Sequence, residues 1–158
     1  MTLSTNAIAD SATKLLPYFF RGKVVYGFGR GGKKLNCPTA NLEPATVVLL
    51  PNEFPNGVYA GFAKVDKSEL YPMVMSVGYN PHFNNEKKTL EVHILKEFDN
   101  DFYDSVVEAV ALEYIRPMQS FTSLGELIDA IESDKDSARS TMNAARLVEY
   151  QNHSFFSS

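Results

Sequence analysis

The chain of 158 residues carries 15 Lys and Arg against 19 Asp and Glu, a formal charge of -4, with 44% hydrophobic and 22% charged residues. That size supports one compact core without disulfides, and the composition favours neither disorder nor a membrane class. Net acidity without a run of five like charges argues against a nucleic-acid or membrane-surface footprint, the single Cys37 excludes an internal disulfide, and no apolar stretch is long enough to span a bilayer.

In chain order, residues 1–16, MTLSTNAIADSATKLL, hold neither a long apolar segment nor transit-peptide arginines. They are expected to form a weakly ordered arm of a cytoplasmic protein, with a mitochondrial pool left open. A β-branched strand is expected around Lys23 to Tyr26, ended by glycines, and TVVLL from Thr46 to Leu50 reads as another strand. Val58 to Val65 and Tyr71 to Tyr79, joined by DKSEL, have the spacing of a hairpin, with Gly61 and Pro72 marking a bulge or an edge.

The segment Thr89 to Leu95 alternates strictly, which puts Leu90, Val92 and Ile94 on one face and Glu91 and His93 on the other. Ser105 to Ile115 suits a helix and a strand equally well. Beyond it, Leu124, Leu127, Ile128 and Ile131 form a helical stripe, Ser123 with Glu126 fits a capping box, and a further helix is expected over Asp134 to Leu147. Phe155 and Phe156 in the 151–158 tail either pack on the domain or stay loose. Strands followed by helices predict an α+β fold, mainly β, built on an antiparallel sheet or small barrel.

The chemistry concentrates in GFGRGGKKLNCPTANL, Gly27 to Leu42. Gly27, Gly29 and Gly32 satisfy a dinucleotide loop, and Gly27, Gly32 and Lys33 satisfy most of a P-loop. Both motifs must open a helix, which Pro38 opposes, and Lys34 stands where a P-loop hydroxyl would bind metal. A hydroxyl and an amide oxygen follow instead at Thr39 and Asn41, donors suited to a hard cation carried by nucleotide phosphates. By pattern alone these residues are equally well turn formers, and Glu91 an exposed strand carboxylate. DNDFYD, Asp99 to Asp104, lacks the glycine and glutamate of a calcium loop and reads as a solvated turn.

The strand and loop GKVVYGFGRGGKKLNCPTANL, together with GVYAGFAKV, MVMSVGYNPHFNNEKKTLEVHIL, DFYDSVVEAVALEYIRP and FTSLGELIDAI, closely resemble the riboflavin kinase (flavokinase) family over residues 17 to 142. The resemblance implies a six-stranded antiparallel Greek-key barrel with C-terminal helices over 17–150, with Val106 to Ile115 as a strand. It implies transfer of the ATP γ-phosphate to the terminal ribityl hydroxyl of riboflavin, giving FMN and ADP, in a monofunctional, monomeric enzyme of eukaryotic type.

Residue by residue, it implies that Gly27, Gly29, Gly31, Gly32 and Lys33 cover ATP and that Thr39 and Asn41 bind phosphate oxygens and Mg2+, or Zn2+ in its place. Ile94 and Tyr103 would line the nucleotide side, Arg116 and Phe121 the flavin side, and Glu91 would be the catalytic carboxylate. Gly32 and Asn36 depart from the family's usual Ser and Gly. The competing expectations are a flavin- or nucleotide-binding barrel without chemistry, and an OB-like nucleic-acid barrel, which net acidity disfavours.

Overall fold

The computed structural model describes residues 5–25, 39–66, 68–79, 88–96 and 105–156. Helix α1 (Thr5–Leu15) is followed by β1 (Tyr18–Val25), β2 (Thr39–Leu42), α2 (Pro44–Val48), β3 (Gly57–Val65), β4 (Tyr71–Tyr79), β5 (Lys88–Ile94) and β6 (Val106–Arg116). Helices α3 (Leu124–Thr141) and α4 (Ala144–Gln151) and a 3-10 turn (Ser154–Phe156) complete the chain.

The six strands close into an antiparallel barrel in the order β1-β2-β5-β4-β3-β6. Strands β3, β4 and β5 are successive neighbours and β6 returns beside β3, which is a Greek key. Among the described strands, closure leaves no edge to be protected. The register of β3 against β6 slips between Ala60 and Gly61, placing the bulge at the expected glycine.

Two apolar clusters follow from strand alternation. Phe20, Tyr59, Met73, Met75, Leu90, Val92 and Ile94 fill the barrel interior, while Val58, Phe62, Val74 and Val110 face outward against Ala138, Met142 and Phe156. Strands β3 and β6 are therefore buried on both faces. This explains why the sequence of β6 shows no preference between helical and strand periods.

Four local expectations are corrected. Residues 5–15 are helical, and Ala12 is wholly buried against the barrel, so this segment is no loose arm. Thr46 to Leu50 is not a strand: Pro44 starts the one-turn helix α2, and Thr46 packs on Gly22 where a Cβ would lie 2.3 Å from Thr46 Oγ1. No helix begins at Asp134; α3 runs through it to Thr141, and the break falls at Asn143, whose side chain caps α4. Leu124 and Ile128 are 59% and 37% exposed, so the buried stripe of α3 is shifted toward Asp134 and Ala138.

Other expectations hold. The Ser123 hydroxyl accepts from Glu126 N at 3.2 Å as the N-cap of α3. Of the two alternatives left open for the aromatic tail, the structure has it packed: Phe156 is buried, and Phe19 meets both Phe155 and Phe156.

Candidate active site

Strand register, more than any single contact, assembles the site. Asn41 on β2 lies directly across from Glu91 on β5, and Glu91 in turn lies across from Ser76 on β4. The row continues through Val58 on β3 to Arg116 at the end of β6. Directly opposed residues project to the same face of a sheet. The neighbours Leu90 and Val92 fill the barrel, so Glu91, Asn41 and Ser76 stand on its outer face. Ser76 Oγ donates to Glu91 Oε2 at 3.5 Å, a long contact that orients the carboxylate weakly.

At roughly 5 Å per strand, the outer-face path from Glu91 to Arg116 spans about 15 Å. Its far end is built by the β6–α3 connector. Arg116 Nε and Nη2 donate to the two Asp134 oxygens at 2.9 and 2.8 Å, and its Nη1 donates to Pro117 O at 3.2 Å. The guanidinium carbon lies 5.8 Å from the centre of the Phe121 ring. Met118 covers Gly78, where an added Cβ would come 3.0 Å from Met118 Cγ, and Met118 and the adjacent Tyr79 remain 40% and 46% exposed.

On the other side of Glu91, β2 pairs Thr39 with His93. Burial, reinforced by the charge of Lys135 on α3, lowers the His93 pKa to about 4, so this imidazole is neutral at pH 7. Among the described residues no group of three or more His, Cys, Asp or Glu could hold a metal ion. A cation here would depend on oxygen donors such as Asn41 and on groups brought by a ligand.

The remaining expectations divide by position. Gly27, Gly29, Gly31, Gly32, Lys33, Asn36, Cys37, Tyr103 and the DNDFYD turn fall outside the described residues, as does the side chain of Thr39. Ile94 is 1% exposed inside the barrel, on the face opposite Glu91. Arg116 and Phe121 are brought together, with Arg116 ending a strand and anchored to α3.

Sequence reasoning missed Ser76 and Asp134. Ser76 is the hydroxyl in the apolar run MVMSVGY, and Asp134 is a carboxylate at helical spacing from Leu127, Ile131 and Ala138. Each interrupts an apolar pattern, which was the available signal.

The family model for flavokinase, riboflavin kinase, matches residues 15–142. The chain belongs to the riboflavin kinase family. Human riboflavin kinase is 40% identical over 141 residues, covering 89% of this chain and 91% of the human one. A bifunctional riboflavin kinase/FMN phosphatase of Arabidopsis thaliana is 39% identical over 85% of this chain and 36% of the plant protein. The crystal structure of riboflavin kinase from Trypanosoma brucei superposes with a TM-score of 0.70 at 35% identity, covering 90% of both chains. The riboflavin kinase barrel with C-terminal helices is therefore the fold of this chain, and its activity is ATP-dependent phosphorylation of riboflavin to FMN. A binding barrel without chemistry is set aside.

Proposed function

We propose that Glu91 is the general base of this phosphoryl transfer, with Asn41 and Thr39 on the phosphate and metal side and Arg116 and Phe121 on the flavin side. The observation that carries the reading is the row Asn41–Glu91–Ser76 on one outer face of the barrel. It sets a carboxylate between an amide and a hydroxyl, one strand from each.

The acceptor is a primary alcohol, too weak an acid to ionise before reaction at neutral pH. Glu91 takes its proton as the bond from the alcohol oxygen to phosphorus forms, while the bond to the leaving ADP breaks. Charge in this loose transition state resides on phosphoryl oxygens, so position and electrostatics matter more than covalent help. By sequence, Gly27, Gly29, Gly31 and Gly32 are the residues able to offer unhindered backbone N–H groups to phosphates, and Lys33 the point charge.

The donor chemistry fits Mg2+ better than Zn2+. Asn41 and Thr39 offer oxygen, and without a cluster of acidic, His or Cys ligands among the described residues the ion must complete its shell from phosphates and water, the usual arrangement for Mg2+. Bound there, Mg2+ would neutralise phosphate charge. In this reading the sugar-alcohol end of riboflavin lies at Glu91 and its ring system beside Met118, Tyr79 and Phe121, the exposed side chains at the β6–α3 connector.

The experiment is FMN formation from riboflavin and ATP with Mg2+, with Zn2+ and with chelator. Product should appear with Mg2+ and vanish with chelator. Equal rates with chelator would overturn the metal assignment, and wild-type turnover in Glu91→Gln would overturn the base.

A further inference from the structure

A carboxylate on the buried face of α3 is an unusual use of a packing position. Asp134 is 5% exposed and, with Ala138, is a buried position of α3, at helical spacing from the half-buried Leu127 and Ile131. Among the described residues its side chain pairs with Arg116, and the pair is a fork: Nε to Oδ1 at 2.9 Å and Nη2 to Oδ2 at 2.8 Å. Two parallel bonds fix the plane and the rotation of a guanidinium, which one bond to a point charge does not.

The consequence lies on the opposite edge of the guanidinium. With Nε and Nη2 committed to Asp134, Nη1 is turned toward the connector, where it reaches Pro117 O at 3.2 Å and Gln119 Oε1 at 3.4 Å. The guanidinium carbon lies over the Phe121 ring, 5.8 Å from its centre. One side chain thus indexes residues 117–121, the segment that also carries Met118 over Gly78. Stability alone does not explain the arrangement. A buried ion pair roughly breaks even against apolar residues of similar volume, and a leucine at 134 would continue the stripe without desolvating a carboxylate.

We propose that Asp134 is a positioning residue for the flavin side of the site, acting through Arg116 to hold the β6–α3 connector in its flavin-accepting geometry. This rests on the placement of Arg116 and Phe121 on the flavin side. Asp134 itself touches no substrate, so its removal should change riboflavin affinity selectively and leave ATP handling intact.

Steady-state kinetics of Arg116→Gln, Asp134→Asn and the double variant Arg116→Leu/Asp134→Leu, with Tm for each, test the inference. Asp134→Asn should raise the riboflavin KM by about tenfold while the ATP KM stays within about twofold. The double apolar variant should recover Tm, because no charge is left unpaired, yet keep the raised riboflavin KM. Recovery of both Tm and riboflavin KM would reduce the pair to a structural contact and overturn the proposal. A riboflavin KM unchanged in Arg116→Gln overturns the flavin-side placement itself, and the proposal with it. A raised KM in Arg116→Gln with an unchanged KM in Asp134→Asn overturns the proposal alone.

Discussion

Glu91 and Ser76 face each other across the β4–β5 ladder, with the Ser76 hydroxyl 3.5 Å from Glu91 Oε2. A bond of that length orients weakly, so the two residues should separate sharply in kinetics. Glu91→Gln retains shape and a carbonyl acceptor while losing the base, and kcat should fall by about 10²–10⁴ with riboflavin KM nearly unchanged. Ser76→Ala should cost less than about tenfold. Equal losses in the two variants would mean that Glu91 acts as part of a structural pair.

Asn41 stands on the other side of Glu91, in register across β2 and β5. If its amide oxygen helps hold the cation, Asn41→Ala should raise the Mg2+ concentration for half-maximal rate by about tenfold, within the range typical when a ligand or its support is lost. Asn41→Asp, which keeps an oxygen and adds charge, should need less Mg2+ than Asn41→Ala. A Mg2+ titration of FMN formation decides this. Identical half-saturation in all three proteins would remove Asn41 from the metal.

The strand Thr89 to Leu95 shows what was legible beforehand: alternation alone turned Glu91 and His93 away from Leu90, Val92 and Ile94, and the structure does the same. Alternation carries no register, however, and it is register that brings Asn41 and Ser76 to either side of Glu91. The parity that turns Glu91 outward also buries Ile94. Strand β6 was open between two periods because α3 and the tail bury the face that would otherwise be polar. Residues Thr46 to Leu50 misled for a local reason: a β-branched run reads as strand, but Pro44 fixes the first turn of a helix too short to show a 3.6-residue period. Asp134 was hidden because its partner Arg116 is 18 residues away and comes near only when α3 packs against the sheet.

His93 makes stability depend on pH. Its ordinary value is 6.5, and burial with the nearby Lys135 charge lowers it to about 4 in the folded chain. Between these values the unfolded chain binds a proton that the folded chain does not, so stability rises with pH across this window. The contribution is intact above about pH 6.5 and is lost as pH falls toward 4, by at most roughly 3 kcal/mol. His93→Gln cannot bind the proton, and its Tm should fall less steeply than the wild type between pH 6.5 and 4. Parallel Tm profiles would show that other groups control the acid limb.

Gly61 is required by the β3–β6 bulge. A Cβ there would lie 1.9 Å from Val110 O and 3.0 Å from Met73 Cε, and the first of these is backbone that cannot swing aside. Gly61→Ala should therefore destabilise the barrel by roughly 3 kcal/mol or more, toward the upper end for single substitutions. Urea unfolding would show it as a lower midpoint or as insoluble expression. Gly78→Ala meets only the flexible Met118 side chain at 3.0 Å, so it should stay folded and alter the connector instead. Equal stability loss in the two variants would contradict this distinction.

The C-terminal turn is held by charge as well as by apolar contact. Lys64 Nζ donates to Phe156 O at 2.7 Å, and Arg21 lies over the Phe155 ring at 4.9 Å while its Nε donates to Glu108 at 3.0 Å. Phe156 itself is 6% exposed, in the cluster with Phe62, Ala138 and Met142 that joins α3 to the sheet. Phe156→Ala should cost roughly 3–5 kcal/mol, the range for a buried aromatic truncation, because the cavity opens between helix and barrel where backbone on both sides resists collapse. Phe155→Ala, on a less buried ring, should cost less. Chemical unfolding of both variants at one temperature checks the order. Because α3 also carries Asp134, the Phe156 variant should show a raised riboflavin KM before its ATP KM changes. A loss of stability that leaves both KM values untouched would mean that the tail supports the helix without influencing the site.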